Sequence, residues 1–346
     1  MAEVKPFQAL RYDERRAGPL ELLVAPPYDV ISPAEREDYL GRSPHNVVHL
    51  TLPDSEEEAA RSFEEWRRDG VLAEETAPAV WALSQDYVGP DGVRRTRNGI
   101  VGALRLEPYE RSIVLPHERT HSGPKEGRLR LLRATRAELE PIFLLHEGPP
   151  VGLPDREPDL AVDGTRLWRL EDANLEDFAD RQLLIADGHH RYETALAFHG
   201  EDGSPESAFT MAALVSSREE GLTIFPTHRV AGRFAGRLHY GDVDPRELLA
   251  EDRGIVVVTR DGAAVVDGEG TDAEIVERLG PEDVSYTPSV DEALAAVEDG
   301  HAEAAFLLRP PSLDEVWSTA ASGRTMPQKS TYFYPKLVSG LLFFSL

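Results

Sequence analysis

Ile185-Ala186-Asp187-Gly188-His189-His190-Arg191-Tyr192-Glu193-Thr194 is the stretch that decides how this chain is read. It follows the apolar run Leu183-Leu184-Ile185 and leads into residues 192–199, a helical run that meets Gly200. The pattern predicts a strand, a tight turn and a helix. A glycine at such a corner lets the backbone turn sharply and lets an anion approach the free N–H groups of the first helical turn. His189, His190 and Arg191 add side-chain donors suited to phosphate oxygens. Asp187 puts a carboxylate beside them, able to hold a metal ion or to accept a proton. The turn reads as a phosphate-handling site. The plainer alternative is a corner whose polar residues are simply exposed.

The chain has 346 residues, enough for two domains or one large one. Its 41% hydrophobic and 29% charged content is ordinary for a globular protein. No apolar run reaches the ~20 residues of a membrane span, and residues 337–346 are better read as a packed last element. Met1-Ala2-Glu3-Val4-Lys5 shows no signal-peptide pattern. The absence of cysteine excludes disulfides, thiol catalysis and cysteine-ligated zinc. A cytoplasmic protein without a membrane partner is expected. The formal charge of −25 argues against general affinity for duplex nucleic acid, which needs clustered positive charge. Against that background the lysines gain meaning: Lys5, Lys125, Lys329 and Lys336 are all there are, and three of them fall inside candidate motifs.

The alternation of elements predicts a mixed α/β fold. Residues 5–12 alternate like a strand, and Ala25-Pro26-Pro27-Tyr28-Asp29 is held extended by its prolines. Ser32-Pro33-Ala34-Glu35 is a helix start, residues 47–52 look like a strand, and residues 55–69 form a helix with Ala59, Phe63 and Trp66 on one face. Residues 79–88 and 99–106 read as paired strands, 125–139 as an arginine-rich helix, 141–146, 208–216 and 222–225 as strands. Residues 256–260 and 263–267 form a hairpin about Asp261-Gly262, and Ser289 and Ser312 begin further helices. The expected division is 1–235, a nucleotide-binding domain, and 236–346, a smaller α/β region whose polar tail returns to the first domain.

His117-Glu118-Arg119-Thr120-His121 satisfies the zinc-protease pattern literally, but Pro116 and Gly123-Pro124 deny it the sustained helix that mechanism needs. A polar active-site loop fits better, with Glu118 as a base and His117, Arg119 or Lys125 on an anion. His228 and Arg229, after residues 222–225, either add to that anion site or cap a strand end. Lys329-Ser330-Thr331 has the end of a P-loop without its upstream glycines, so a Walker site is rejected, while Lys329 or Ser330 touching a ligand stays open. Tyr332, Phe333 and Tyr334 read as core.

Lys5-Pro6-Phe7-Gln8-Ala9-Leu10-Arg11-Tyr12, Ala25-Pro26-Pro27-Tyr28-Asp29-Val30-Ile31-Ser32, residues 116–120, Asp187-Gly188-His189-His190-Arg191 and residues 327–336 follow one another in order. Through them essentially the whole chain resembles the prokaryotic domain-of-unknown-function family numbered 1015. The Asp187 to Arg191 stretch is also similar to the phosphate-binding turn of the ParB and sulfiredoxin superfamily. That resemblance implies a ParB/sulfiredoxin-like nucleotide-binding core with an additional α/β C-terminal region. Nucleotides bind there through a glycine-histidine-arginine or similar turn, and one branch phosphorylates free serine. Carried over, Gly188, His190 and Arg191 would contact phosphates, with His189 and Asp187 beside them. Two departures matter: no cysteine serves sulfiredoxin chemistry, and the −25 charge does not suit a DNA-partitioning protein.

The leading expectation is a nucleotide-dependent phosphotransferase, using ATP or ADP and Mg2+, that acts on a small hydroxyl-bearing metabolite such as an amino acid like serine. Asp187 or Glu118 would be the catalytic carboxylate, and Asp187 the metal ligand. The alternatives are a non-catalytic nucleotide-binding switch and a metal-assisted phosphohydrolase. A shared anionic ligand predicts that Asp29, Glu118, His190 and His228 line one cleft with Arg191, with Lys329 at its rim.

Overall fold

The computed structural model describes residues 1–119 and 122–346, with only the backbone of Ser122, Gly123 and Pro124. Thr120 and His121, the end of the His117-Glu118-x-x-His pattern, lie outside the described residues. Among the described residues the strands form sheets of nine, five, four and two strands, so the fold is mixed α/β.

The largest sheet runs in the order Val114–Leu115, Leu183–Asp187, Ile142–His146, Phe209–Ser216, Arg94–Arg105, Val80–Val88, Thr165–Leu170, Leu160–Val162, with Val4–Lys5 paired to Arg94–Arg105. Leu183–Asp187 is parallel to the first of these and antiparallel to Ile142–His146. Both faces of the sheet are covered, which is why Phe209–Ser216 is buried at every residue. Alternation sends Leu183 and Ile185 to the face where Tyr192 and Ala195 pack, and Leu184 and Ala186 to the face of Phe143, Met211 and Phe333.

Gly188 takes φ 95° at the turn, a left-handed value that favours glycine, and the helix that follows is His189–Asp202. It begins before residue 192 and passes through Gly200, stopping where Gly203 turns left-handed at φ 66°. Helix Glu56–Arg68, capped by Ser55, buries Ala59, Phe63 and Trp66 as its pattern predicts. Residues 47–52 are not a strand: Val48–Thr51 is a helical turn. Buried Asn46 accepts the Val48 N–H at 3.0 Å and starts it, and an apolar run this short carries no period to read. The arginine-rich helix is Ser122–Thr135, ended by Arg136 at φ 48°, which frees Ala137–Glu138 to pair as a strand.

The five-stranded sheet runs Gly262–Val266, Ile255–Thr259, Ala304–Leu307, His228–Arg233, Glu282–Thr287. Helices Asp272–Leu279 and Val290–Glu298 bury Ile275, Val276, Leu294 and Val297 against it. The tail leaves this unit: Tyr332–Tyr334 pairs with Thr223–Phe225, and Phe343–Ser345 pairs with Ala9–Tyr12 on one side and Ala137–Glu138 on the other. No helix among the described residues is long and apolar enough to cross a membrane.

Candidate functional site

A single extra residue sets the site. Ile185 pairs with Leu144, yet Asp187 pairs with Phe143, so Ala186 is a bulge. Without it Asp187 would share the face of Ile185. With it, Asp187 joins the face of Phe143, where the tail lies and Phe333 packs edge-on at 6.1 Å. Arg191, one helical turn on, reaches back to Asp187 Oδ2 at 2.5 Å and donates to the Pro141 carbonyl. Lys336 Nζ lies 2.5 Å from Asp187 Oδ1 and 2.7 Å from Asp29 Oδ2. The tail is aimed by buried Arg97, which donates to the carbonyls of Tyr334 and Pro335 and stands 4.4 Å over the Phe143 ring.

Burial alone would raise the Asp187 carboxyl, but Lys336 and Arg191 outweigh it and hold the group well below the usual carboxylate range. Burial likewise works against the Lys336 ammonium, and Asp187 and Asp29 push it well above the ordinary lysine value. Asp187 and Lys336 therefore hold each other in their charged forms. Lys329 is the more open cation: its side chain is 41% exposed, against 11% for Lys336, with Nζ 3.9 Å from Asp29.

The second half of the site is an anchor. Glu118 accepts the N–H groups of Lys329 and Thr331 at 3.3 and 3.2 Å, and the Thr331 hydroxyl at 3.1 Å. Lys329 sits at φ 56°, strained for a residue with a side chain, and Glu118 helps hold it there. Burial opposes the Glu118 charge, but its hydrogen bond with His117 and the nearby imidazoles keep the group at about 2. His117 is fully buried, with Nδ1 on the Ile185 carbonyl at 2.7 Å and Nε2 on the Thr331 hydroxyl at 2.8 Å. The backbone N–H of His117 donates to His189 Nε2 at 3.3 Å, which leaves Nδ1 of a neutral His189 to carry the proton. Burial and then His117 lower His189 to about 3, so it offers a neutral donor rather than a charge.

These pieces open on one cleft of about 540 Å³. Its lining includes Asp29, Glu118, Asp187, His189, Lys329, Thr331 and Lys336, together with Ser285, Tyr286 and Thr287 from the edge strand of the five-stranded sheet. Gly188 lies between two lining residues, and no side chain caps the helix it begins. The first helical bond is Tyr192 N–H to the Gly188 carbonyl, so the Gly188 and His189 N–H groups precede the helical ladder.

Not every expected residue reaches the cleft. Arg191 is turned to Asp187 and Pro141, and His190 is a half-buried residue of the first helical turn outside the lining. His228 is fully buried within its strand, accepting the Leu308 N–H at 3.1 Å, and burial lowers it to about 4. Arg229 is buried behind Tyr286, Arg119 pairs with Glu277 at 3.8 Å, and Lys125 with Glu193 at 3.2 Å. Ser330 donates to the Pro327 carbonyl and borders a separate pocket of about 380 Å³. A magnesium ion on Asp187 does not fit these donors. The Lys336 ammonium already fills the space between Asp187 and Asp29, and no group of three His, Asp or Glu among the described residues is arranged to hold a metal. Lys336, Thr331 and Arg97 were not singled out in the sequence. Only the scarcity of lysine pointed at the first.

On its far side Arg191 borders a cavity of about 60 Å³ with Thr194 and Glu138. Burial raises Glu138 from 4.5 to about 7 against the hydrogen bonds of Met211 and Thr210. A raised carboxyl favours the fold when protonated, so that contribution is whole below pH 4.5 and is lost as pH climbs to about 7. Glu138→Gln should therefore gain stability over the wild type as pH rises through this window. Melting temperatures of both proteins read it, and parallel curves would remove Glu138 from the balance.

No curated protein matches the chain. Among solved structures, a free serine kinase in complex with AMP is similar at TM-score 0.41 and 15% identity, covering 66% of this chain and 89% of its own. A conserved hypothetical protein from Pyrococcus furiosus has TM-score 0.38 and 16% identity, covering 64% and 87%. SbnI with C-terminal truncation from Staphylococcus aureus has 0.40 and 12%, covering 68% and 84%. Likeness at these scores carries no argument about activity. Kinship rests on the sequence match over residues 4–239, more than half of the chain, and by it the protein belongs to the family described as Protein of unknown function (DUF1015).

Proposed function

We propose that the cleft is the active site of a cytoplasmic, nucleotide-dependent phosphotransferase that phosphorylates the hydroxyl of a small metabolite, an amino acid such as serine among the candidates. The observation that carries this reading is the uncapped helix start at Gly188, opening beside Lys329, Lys336 and the carboxylate Asp29 in one cleft. The donor's phosphates lie on the Gly188 and His189 N–H groups at the start of the helix, in the manner of a ParB or sulfiredoxin turn, with Lys329 as the exposed counter-charge. Residues 1–235 supply this phosphate side, and the region 236–346 supplies further lining and, through its tail, both lysines.

Asp187 is tied to two cations and Glu118 to the Lys329–Thr331 backbone, so neither is placed to take a proton. Asp29 is: Lys336 and Lys329 hold its Oδ2, and Oδ1 has no partner among the described residues. Asp29 removes the hydroxyl proton as the substrate oxygen attacks the terminal phosphorus. The new P–O bond forms while the bond to the leaving nucleotide breaks, and Lys329 and Lys336 balance the charge on the transferring oxygens. Glu118 and His117 act as positioning residues.

The test is turnover. Incubation with ATP or ADP should release ADP or AMP only when a hydroxyl co-substrate is added. Tight binding of nucleotide without turnover, across a broad pool of hydroxyl compounds, would instead make the protein a switch. Phosphate released from monoesters would make it a phosphohydrolase.

A further inference from the structure

Tyr286 has a position that its own sheet does not explain. It lies on Glu282–Thr287, the edge strand of the five-stranded sheet, opposite Arg229 on the neighbouring strand. Cross-strand partners share a face, and the Arg229 guanidinium stands 5.7 Å from the Tyr286 ring centre. Arg229 is 4% exposed, with Thr227 and Gln328 carbonyls near its guanidinium, so the ring is backed by a fixed cation. Tyr286 itself is 43% exposed and lines the cleft. Val30, 42% exposed and next in sequence to Asp29, lines the same cleft. Two large apolar side chains left open in a cleft that also holds Asp29, Asp187, Lys329 and Lys336 suit a flat, weakly polar group beside a charged one.

We infer that Tyr286 is the stacking platform for the base of the nucleotide donor, with Val30 closing over the other face of that base. The inference rests on the phosphotransferase reading for the position of the phosphates. It adds that a strand beyond the family-matched residues 4–239 recognises the nucleoside. A cleft of about 540 Å³ has room for both parts of such a ligand, being within the ~300–1,000 Å³ of pockets that enclose small molecules. The ligand class is a nucleoside di- or triphosphate, with purines favoured by their larger stacking face.

The experiment is calorimetric titration of the full chain with ATP and, separately, with inorganic triphosphate. Wild type should prefer ATP, and Tyr286→Ala should weaken ATP by roughly ten-fold or more, the usual loss for a base stacked on an aromatic ring. Tyr286→Ala should leave triphosphate binding unchanged, and Tyr286→Phe should keep ATP binding. Equal affinity of wild type for ATP and triphosphate, or an equal loss of both in Tyr286→Ala, would overturn the base subsite while leaving the phosphate site standing. If wild type binds neither probe, the phosphotransferase reading falls, and the base subsite with it.

Discussion

Lys336→Met should lower the free energy of unfolding by roughly 3 kcal/mol at neutral pH, the lower end of what breaking a buried ion pair costs. Methionine keeps the aliphatic stem and removes the ammonium, leaving Asp29 and Asp187 to face each other with only Arg191 close to the second. The loss should depend on pH with a definite sign. Lys336 and Arg191 hold the Asp187 carboxyl below its ordinary 3.8 despite burial. A depressed carboxyl contributes stability above its ordinary value and loses it as pH falls through the folded value. The gap between wild type and variant should thus be widest at neutral pH and narrow in acid. Urea midpoints at neutral pH and near pH 3 decide it. An equal gap at both would mean that the stem, not the charge, holds the tail.

Asp29→Asn should cut kcat by about 100- to 10,000-fold, the range for removing a general base, while changing nucleotide affinity by only a few-fold. Asparagine keeps the shape and an oxygen for Lys336 but cannot take a proton. Activity near wild type would send the proton elsewhere. Loss of nucleotide binding with intact kcat would make Asp29 a holder of the two lysines and nothing more.

The strand-turn-helix at Gly188 was legible because it is local: an apolar run, a glycine and a helical period lie within a few residues of one another. The serine caps at Ser32, Ser289 and Ser312 were legible for the same reason. Asp187 was recognised, but the direction of its side chain was not. That direction depends on how Leu183–Asp187 registers against Ile142–His146, and nothing in the sequence marks Ala186 as the extra residue. Lys336 was hidden by distance, since its partner Asp29 lies 307 residues away. His228 looked like a loop ligand following a strand. It opens a new strand instead, where its imidazole is buried inside the sheet with Nδ1 accepting the Leu308 N–H. The residues 47–52 misled because Val and Thr favour strands, and a buried asparagine two positions before Val48 decided otherwise.

Arg97 and the strand pairing of Phe343–Ser345 draw the tail between segments made near the start of the chain. This has a consequence for how the protein comes into being. During synthesis, Asp29, Glu118 and the Gly188 turn are all made before either tail lysine exists. Asp29 and Asp187 must wait without their shared ammonium until residue 336 emerges. A nascent chain at that stage has Arg191 alone to balance Asp187, and Asp29 has neither of its lysines. The charge balance of the cluster is therefore completed only when the tail segment is made and docked.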